Sequence, residues 1–478
     1  MITIAFLLLL LFNAWIVFIY WVTVYRKEGP ASPLAIVLLF YLFNYPLRAI
    51  MLFVAAGTDL EWDFGSWEWG FSQGEICVAL SYATLFAGCL VMAYLMLSRR
   101  TKAEPNYCKR KSQPSGLDTD WRKIAFFGLF GAYMLLFVYK AVSSDLFGLY
   151  ETLEDLKHSF LFNLMHLAAD LKWFLVAYAF LRIQRTKSMP VIILAVSVTA
   201  TIVISAFVST AKGDLVALPL LWAICVWLVR DRLPKLTMAF AVVAIIGFAF
   251  YSYTARKYDY LGVRSVEGGS MLESVRRTAG TVAHMHKENK DLWKEQAGKV
   301  FSRFDGMDSL TLCQRSDLFI EKGLYVAGSI VELGNVVPRL VWPTRPHLSF
   351  NHHATYAVWG RSNYYFLEMP IGRIGESFYV LNWGGLVYAV FYALLWKWMY
   401  RTFMLRSRND LETAFYLCMV FLVVLPDAYL VYNWKRLVVV AAAYVFVTSN
   451  GVMRVRKKTP RVRCQAILAK SGVEEEHA

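Results

Sequence analysis

The sequence predicts an all-α polytopic membrane protein with about eleven transmembrane helices and one large structured loop on its outer side. Three observations predict it. The 478 residues are 58% hydrophobic and only 18% charged, with a mean hydropathy of +0.43, the balance of a membrane-embedded chain. Apolar runs of roughly 20 residues, the length that crosses a bilayer core, recur along the chain. The lysines and arginines cluster in short segments between those runs. The formal net charge of +15 therefore reads as a topology signal, and no nucleic acid is expected as a partner.

The expected spans cover 2–24, 33–56, 75–97, 123–142, 161–182, 189–210, 213–230, 236–253, 376–400, 411–431 and 436–453. The first run lacks a basic leader and a small-residue cleavage site, so it is read as a retained span. The 161–182 run carries Asp170 and Lys172, and the gap between the sixth and seventh runs is short. If these spans alternate, six basic segments share one side: Arg26-Lys27, 98–123, Arg182 to Lys187, Arg230 to Lys235, Lys397 to Arg408, and 454–463. The other side receives the acidic segment 57–74 and the long segment 254–375. Basic loops stay in the cytoplasm, so the N-terminus is expected in the periplasm and the C-terminus in the cytoplasm of a bacterial inner membrane. The organisation is then 1–253 with eight spans, 254–375 as a periplasmic loop, 376–453 with three spans, and 454–478 as a basic tail.

The loop holds five of the eight histidines and shows helical spacing of apolar and charged residues over 268–300, which predicts short helices. A structured loop of this length is usually functional. No internal repeat is visible, which weakens a transporter built from two related halves. The seven cysteines form no CxxC pair, and four lie inside apolar runs, so neither a disulfide framework nor a zinc site is indicated.

Charge at membrane depth costs at least about 2.5 kcal/mol on insertion scales, so each such residue needs a partner, a wet cavity or an anionic ligand. Arg48 lies well inside the second run. Lys212 and Asp214 sit at the junction of the sixth and seventh, where they could pair with each other. Asp427, Lys435 and Arg436 bracket the junction of the last two. All fall towards the outer side. Arg48, Lys212 and Arg436 are expected to face one outer cavity and bind an anionic group there.

Residues 338–361, PRLVWPTRPHLSFNHHATYAVWGR, combine three prolines, three histidines, three arginines and two tryptophans. Proline breaks helices, so this is a stiff loop. Arginine matches phosphate oxygens with a rigid fork of donors. Arg303, Arg339, Arg345, Arg361 and Arg373 therefore suit a lipid-linked phosphate or pyrophosphate. Trp342 and its aromatic neighbours favour the headgroup level and can stack on sugar rings. His352 and His353 point opposite ways on an extended chain, and no HxxxH or HExxH spacing occurs, so no metal is expected. There is no Walker loop, no GxGxxG after a strand and no GxSxG. A substrate presented from the membrane is more natural than cytoplasmic nucleotide chemistry, and no cofactor is expected.

Several segments together resemble a known family: RFDGMDSL at 303–310, GSIVEL at 328–333, PRLVWPTRP at 338–346 and IGRIGESFYVLNWGGL at 371–386, with YPLRA at 45–49 and STAKGDL at 209–215. The chain resembles bacterial oligosaccharide repeat-unit polymerases, the Wzy-type O-antigen and exopolysaccharide polymerases. The resemblance implies a GT-C-like, metal-independent glycosyltransferase at the periplasmic face. It implies undecaprenyl-pyrophosphate-linked oligosaccharides as substrates, with a flippase and a chain-length regulator as partners within the membrane lipid. In that chemistry Arg303, Arg339 and Arg345 would stabilise the departing pyrophosphate. Asp305, His353 and Glu376 each remain open as the base on the acceptor hydroxyl. Arg48, Lys212, Asp214, Trp342, His352, Arg361, Arg373, Lys435 and Arg436 would bind substrate. The competing readings are a ligase of finished polysaccharide, a lipid flippase or transporter, and a non-catalytic accessory protein.

Overall fold

A computed structural model describes residues 1–57, 70–99, 115–117, 120–142, 171–209, 212–244, 247, 280, 306–315, 372–424 and 430–449. The described residues are all-helical, with no strand. In chain order the helices are α1 (Ile2–Ala31), α2 (Pro33–Ala56), α3 (Gln73–Arg99), α4 (Asp120–Val142), α5 (Leu171–Arg185), α6 (Met189–Ser209), α7 (Lys212–Arg230) and α8 (Lys235–Ala244). They continue with α9 (Gly306–Arg315), α10 (Gly372–Leu381), α11 (Leu386–Met399), α12 (Asp410–Val424) and α13 (Leu430–Thr448). Five of them, in α1, α2, α3, α4 and α6, are long and apolar enough to cross a membrane. The fold is that of an α-helical multi-pass membrane protein.

Helix α3 runs through the middle of one half of the bundle, packed by α1 on one flank and α11 on another. In the other half α5 is central, against α6, α7 and α12, while α13 bridges α12 to α4. Contacts of α12 with α2, and of α7 with the turn at Gly29–Ala31, join the halves. That turn depends on Gly29, whose φ of 67° is left-handed and whose missing Cβ leaves room for the Trp227 ring. Between lipid-facing stretches the helices are pinned by small polar networks. Asn13 donates to Thr84 Oγ1 at 2.8 Å and accepts from the Tyr41 hydroxyl at 2.5 Å, so three helices share one buried amide.

Two departures from regular helix prepare the site. In α2 the turn Phe43–Leu47 is π-helical and contains Pro46. Proline has no amide to donate, and widening the turn accommodates it. Arg48 follows directly. In place of one span over 376–400 the structure has two helices, α10 and α11, separated by a 3-10 turn at Asn382–Gly385. Asn382 takes a positive φ of 55°, a conformation asparagine tolerates, and its Oδ1 accepts from the Trp383 amide at 2.8 Å. The helix carrying Glu376 therefore begins at Gly372, inside the stretch expected to be loop.

Candidate functional site

The site is built around α9, a helix drawn from the middle of the long segment 254–375. Its sequence, GMDSLTLCQR, is half polar, yet Met307 to Cys313 are all buried, none more than 5% exposed. A helix buried all round belongs inside a core. Helix α9 packs against α3, α10 and the π turn of α2. Asp308 meets Arg48 of α2, and Arg315 meets Glu75 of α3. Arg48 stands eight residues before the end of α2, about 12 Å along the helix. The segment between α8 and α10 thus sends a helix back into the bundle beside α3. Backbone at that depth is tolerated because protein surrounds it. The Cys313 thiol is held protonated, since burial pushes its pKa well up, and it acts as an apolar packing group.

Arg48 and Asp308 form a two-pronged pair, Nε to Oδ2 at 2.8 Å and Nη2 to Oδ1 at 3.1 Å, with both side chains at most 1% exposed. This corrects the expectation that Arg48 is a cation without a carboxylate partner. Low dielectric makes an isolated charge there too costly, and Asp308 neutralises it. On α10, which packs against α9, Glu376 is buried at 7% exposure and Ser377 is fully buried. The Tyr82 hydroxyl of α3 lies 2.9 Å from Ser377 Oγ, and the Phe378 and Trp383 rings pack edge-on against Tyr82. Gly385 is required at this crossing, because a Cβ there would collide with the Ser377 carbonyl and the Tyr82 hydroxyl. A small apolar cavity of about 30 Å³, walled by Tyr41, Tyr45, Ile374, Tyr392 and Trp396 among others, adjoins α10.

The second charged junction gains a partner that the sequence did not suggest. Asp214 pairs with Lys172 at the start of α5, at side-chain exposures of 25% and 15%. Lys172 had only marked a polar interruption of an apolar run; the contact gives it a partner 42 residues away. Lys212, Arg373, Lys435 and Arg436 are placed by their backbones alone, at the starts of α7 and α10 and within α13. Arg303, Asp305, Arg339, Trp342, Arg345, His352, His353 and Arg361 lie outside the described residues, as do the helical pattern over 268–300 and the basic tail. Of the sequence-selected residues, the structure therefore places Arg48 and Glu376 on two of the three helices against which α9 packs.

Sequence reasoning missed Asp308 as the partner of Arg48 and missed two buried clusters at the opposite end. Glu28 accepts from Ser32 Oγ at 2.9 Å, from the Tyr94 hydroxyl at 2.7 Å and from Lys397. The Lys397 ammonium also stands 4.6 Å from the Tyr94 ring centre. Asp410, fully buried, takes Arg182 at 3.1 Å and Arg185 at 2.9 Å. Lys397 had counted only as a topology charge. Its place between two tryptophans, in LLWKWMY, was the available sign that it points inward.

No protein-family model matches the chain, and no curated protein or solved structure matches it.

Proposed function

We propose that this protein polymerises lipid-linked oligosaccharide repeat units at the periplasmic face of a bacterial inner membrane, for O-antigen or exopolysaccharide synthesis. The growing glycan leaves undecaprenyl pyrophosphate and joins a hydroxyl of the next repeat unit. The bond between the anomeric carbon and the pyrophosphate oxygen breaks, and the bond to the acceptor oxygen forms. The acceptor proton passes to a base, and the pyrophosphate departs with the electron pair. Fixed guanidinium groups lower the barrier by meeting the charge that develops on the leaving group.

One observation carries the reading. Three stretches singled out for their resemblance, around Arg48, Asp308 and Glu376, are far apart in sequence and meet in the bundle. The meeting point is a helix returning from the long segment that also contains Arg303, Arg339 and Arg345. Glu376, one of the three base candidates, is buried on α10, the helix that packs against α9, and we assign it the acceptor proton. Arg48 then serves as a positioning residue, anchoring α9 through Asp308. Eleven spans, a periplasmic N-terminus and a cytoplasmic C-terminus belong to the same proposal.

The test is the lipid-linked product in a deletion strain. Single repeat units accumulating on the lipid support a polymerase. Full-length polymer left unattached supports the ligase reading, and units trapped on the cytoplasmic leaflet support a flippase. In the purified protein, Arg345→Lys keeps the charge and loses the fork; chain growth is expected to fall about 100-fold, and normal growth would remove Arg345 from the site.

A further inference from the structure

The far end of the bundle carries a charge that its own carboxylate does not balance. Glu28 is already saturated by Ser32, Tyr94 and Lys397. Two further cations stand beside the Glu28–Lys397 contact: Lys27 is the chain neighbour of Glu28, and Arg401 follows Lys397 by four residues along the same helical stretch. Three cations thus gather near one carboxylate that Lys397 already occupies. Arg401 is poorly satisfied. Among the described residues its one hydrogen bond runs from Nη2 to the Leu97 carbonyl at 3.5 Å, and its buried Nε has no acceptor. Lys27 is exposed at the end of α1. Each lies at or beside a π-helical turn, Trp21–Tyr25 on α1 and Tyr400–Leu405 after α11, and such turns concentrate at functional sites. Trp21 and Tyr25 stack at 4.4 Å on the first, and Trp398, 55% exposed, precedes the second. Amphipathic rings at helix ends mark the depth of lipid headgroups.

We propose that this end of the bundle binds the phosphate of an anionic phospholipid between Lys27 and Arg401, beside the buried Glu28–Lys397 pair. A phosphodiester there supplies an acceptor for the Arg401 fork and cancels the surplus charge. Basic pockets between helices at the membrane surface suit such headgroups. The site is separate from the α9–α10 region and does not depend on the activity proposed for it.

The experiment uses the full-length protein purified in detergent, with phosphatidylglycerol and phosphatidylcholine supplied in equal amounts and bound lipid read by native mass spectrometry. The wild type is expected to retain phosphatidylglycerol preferentially. Lys27→Gln and Arg401→Gln should each weaken that retention about fivefold, the effect of roughly one surface cation. Arg232→Gln, on the exposed turn between α7 and α8, should leave it unchanged. Lys27 is exposed, so its variant folds and carries the test even if Arg401→Gln does not. Equal retention by wild type and Lys27→Gln overturns the proposal, as does an equal loss in Arg232→Gln. Displacement of the lipid by millimolar inorganic phosphate also overturns it, because the ligand would then be a soluble phosphate.

Discussion

At the end of the bundle where α9 returns, three cations each meet one carboxylate: Arg48 with Asp308, Lys172 with Asp214, Arg315 with Glu75. At the opposite end two buried carboxylates sit among several cations, with Arg182 and Arg185 on Asp410, and Lys397 on Glu28 with Lys27 and Arg401 close by along the chain. The difference teaches what each end is for. Surplus positive charge orients a membrane protein and addresses lipid headgroups, and it tolerates imprecise placement. One-to-one pairing fixes geometry. A two-pronged arginine–carboxylate pair holds a short, half-polar helix at a depth it would not enter by hydrophobicity alone.

The largest expected effect comes from breaking the deepest pair. Asp308→Ala leaves Arg48 buried without its carboxylate, and a loss of about 3–5 kcal/mol follows. Thermal unfolding in detergent measures it. The double replacement Arg48→Met with Asp308→Leu should recover most of that loss, because both desolvation costs vanish together. Recovered stability with lost chain growth would assign the pair to positioning. At the other end, Asp410→Ala leaves two arginines uncompensated, and no single second replacement should repair it. An Asp410→Ala protein rescued by one further arginine change would dissolve the contrast between the ends.

Glu376→Gln comes next. The amide keeps the shape of the side chain and cannot take a proton. Under the proposed function, chain growth from lipid-linked units should drop about 100-fold or more, while melting stays close to wild type. A variant that still builds long polymer would leave the base to residues of the loop.

How much of this was legible in sequence depends on the range of the contact. The positions of α1 to α4 follow from apolar runs, a local signal. Arg48 stood out because a charge inside such a run needs a reason, and Glu376 because it opened a recognisable glycine-rich stretch. The re-entry of α9 was not legible. GMDSLTLCQR has the composition of an exposed helix, and the contact that buries it spans 260 residues. The break at Asn382 did leave a sign, the turn-forming run Asn382-Trp383-Gly384-Gly385, but the apolar residues on either side drew one span across it. Lys397 and Glu28, 369 residues apart, each resembled an ordinary charge at a span end.

A smaller effect is expected at Lys172. The pair with Asp214 is partly exposed, so water already screens it. Lys172→Met should cost about 1–2 kcal/mol, between the surface and buried ranges. If it costs as much as Asp308→Ala, the outer pairs are equally deep, and the gradient from buried Arg48 to open solvent fails.

The smallest effect belongs to Arg315, at the other end of α9 from Asp308. Its guanidinium grips Glu75 at 2.5 and 2.9 Å and the Gly70 carbonyl at 2.9 Å, and it stands 5.0 Å from the Phe71 ring centre. Glu75 beside it pushes the guanidinium pKa up, so the charge is permanent. Both side chains are about one-third exposed. Water and salt therefore compete for each partner, and Arg315→Ala should cost at most about 1 kcal/mol. Raising the ionic strength should erase most of that difference, because exposed pairs are screened. The Arg48–Asp308 contribution, shielded by protein, should persist at the same salt concentration. Melting curves of both variants across a salt series separate the two ends of one ten-residue helix: parallel salt dependence would show that α9 is equally wet along its length, and the re-entrant placement would then be wrong.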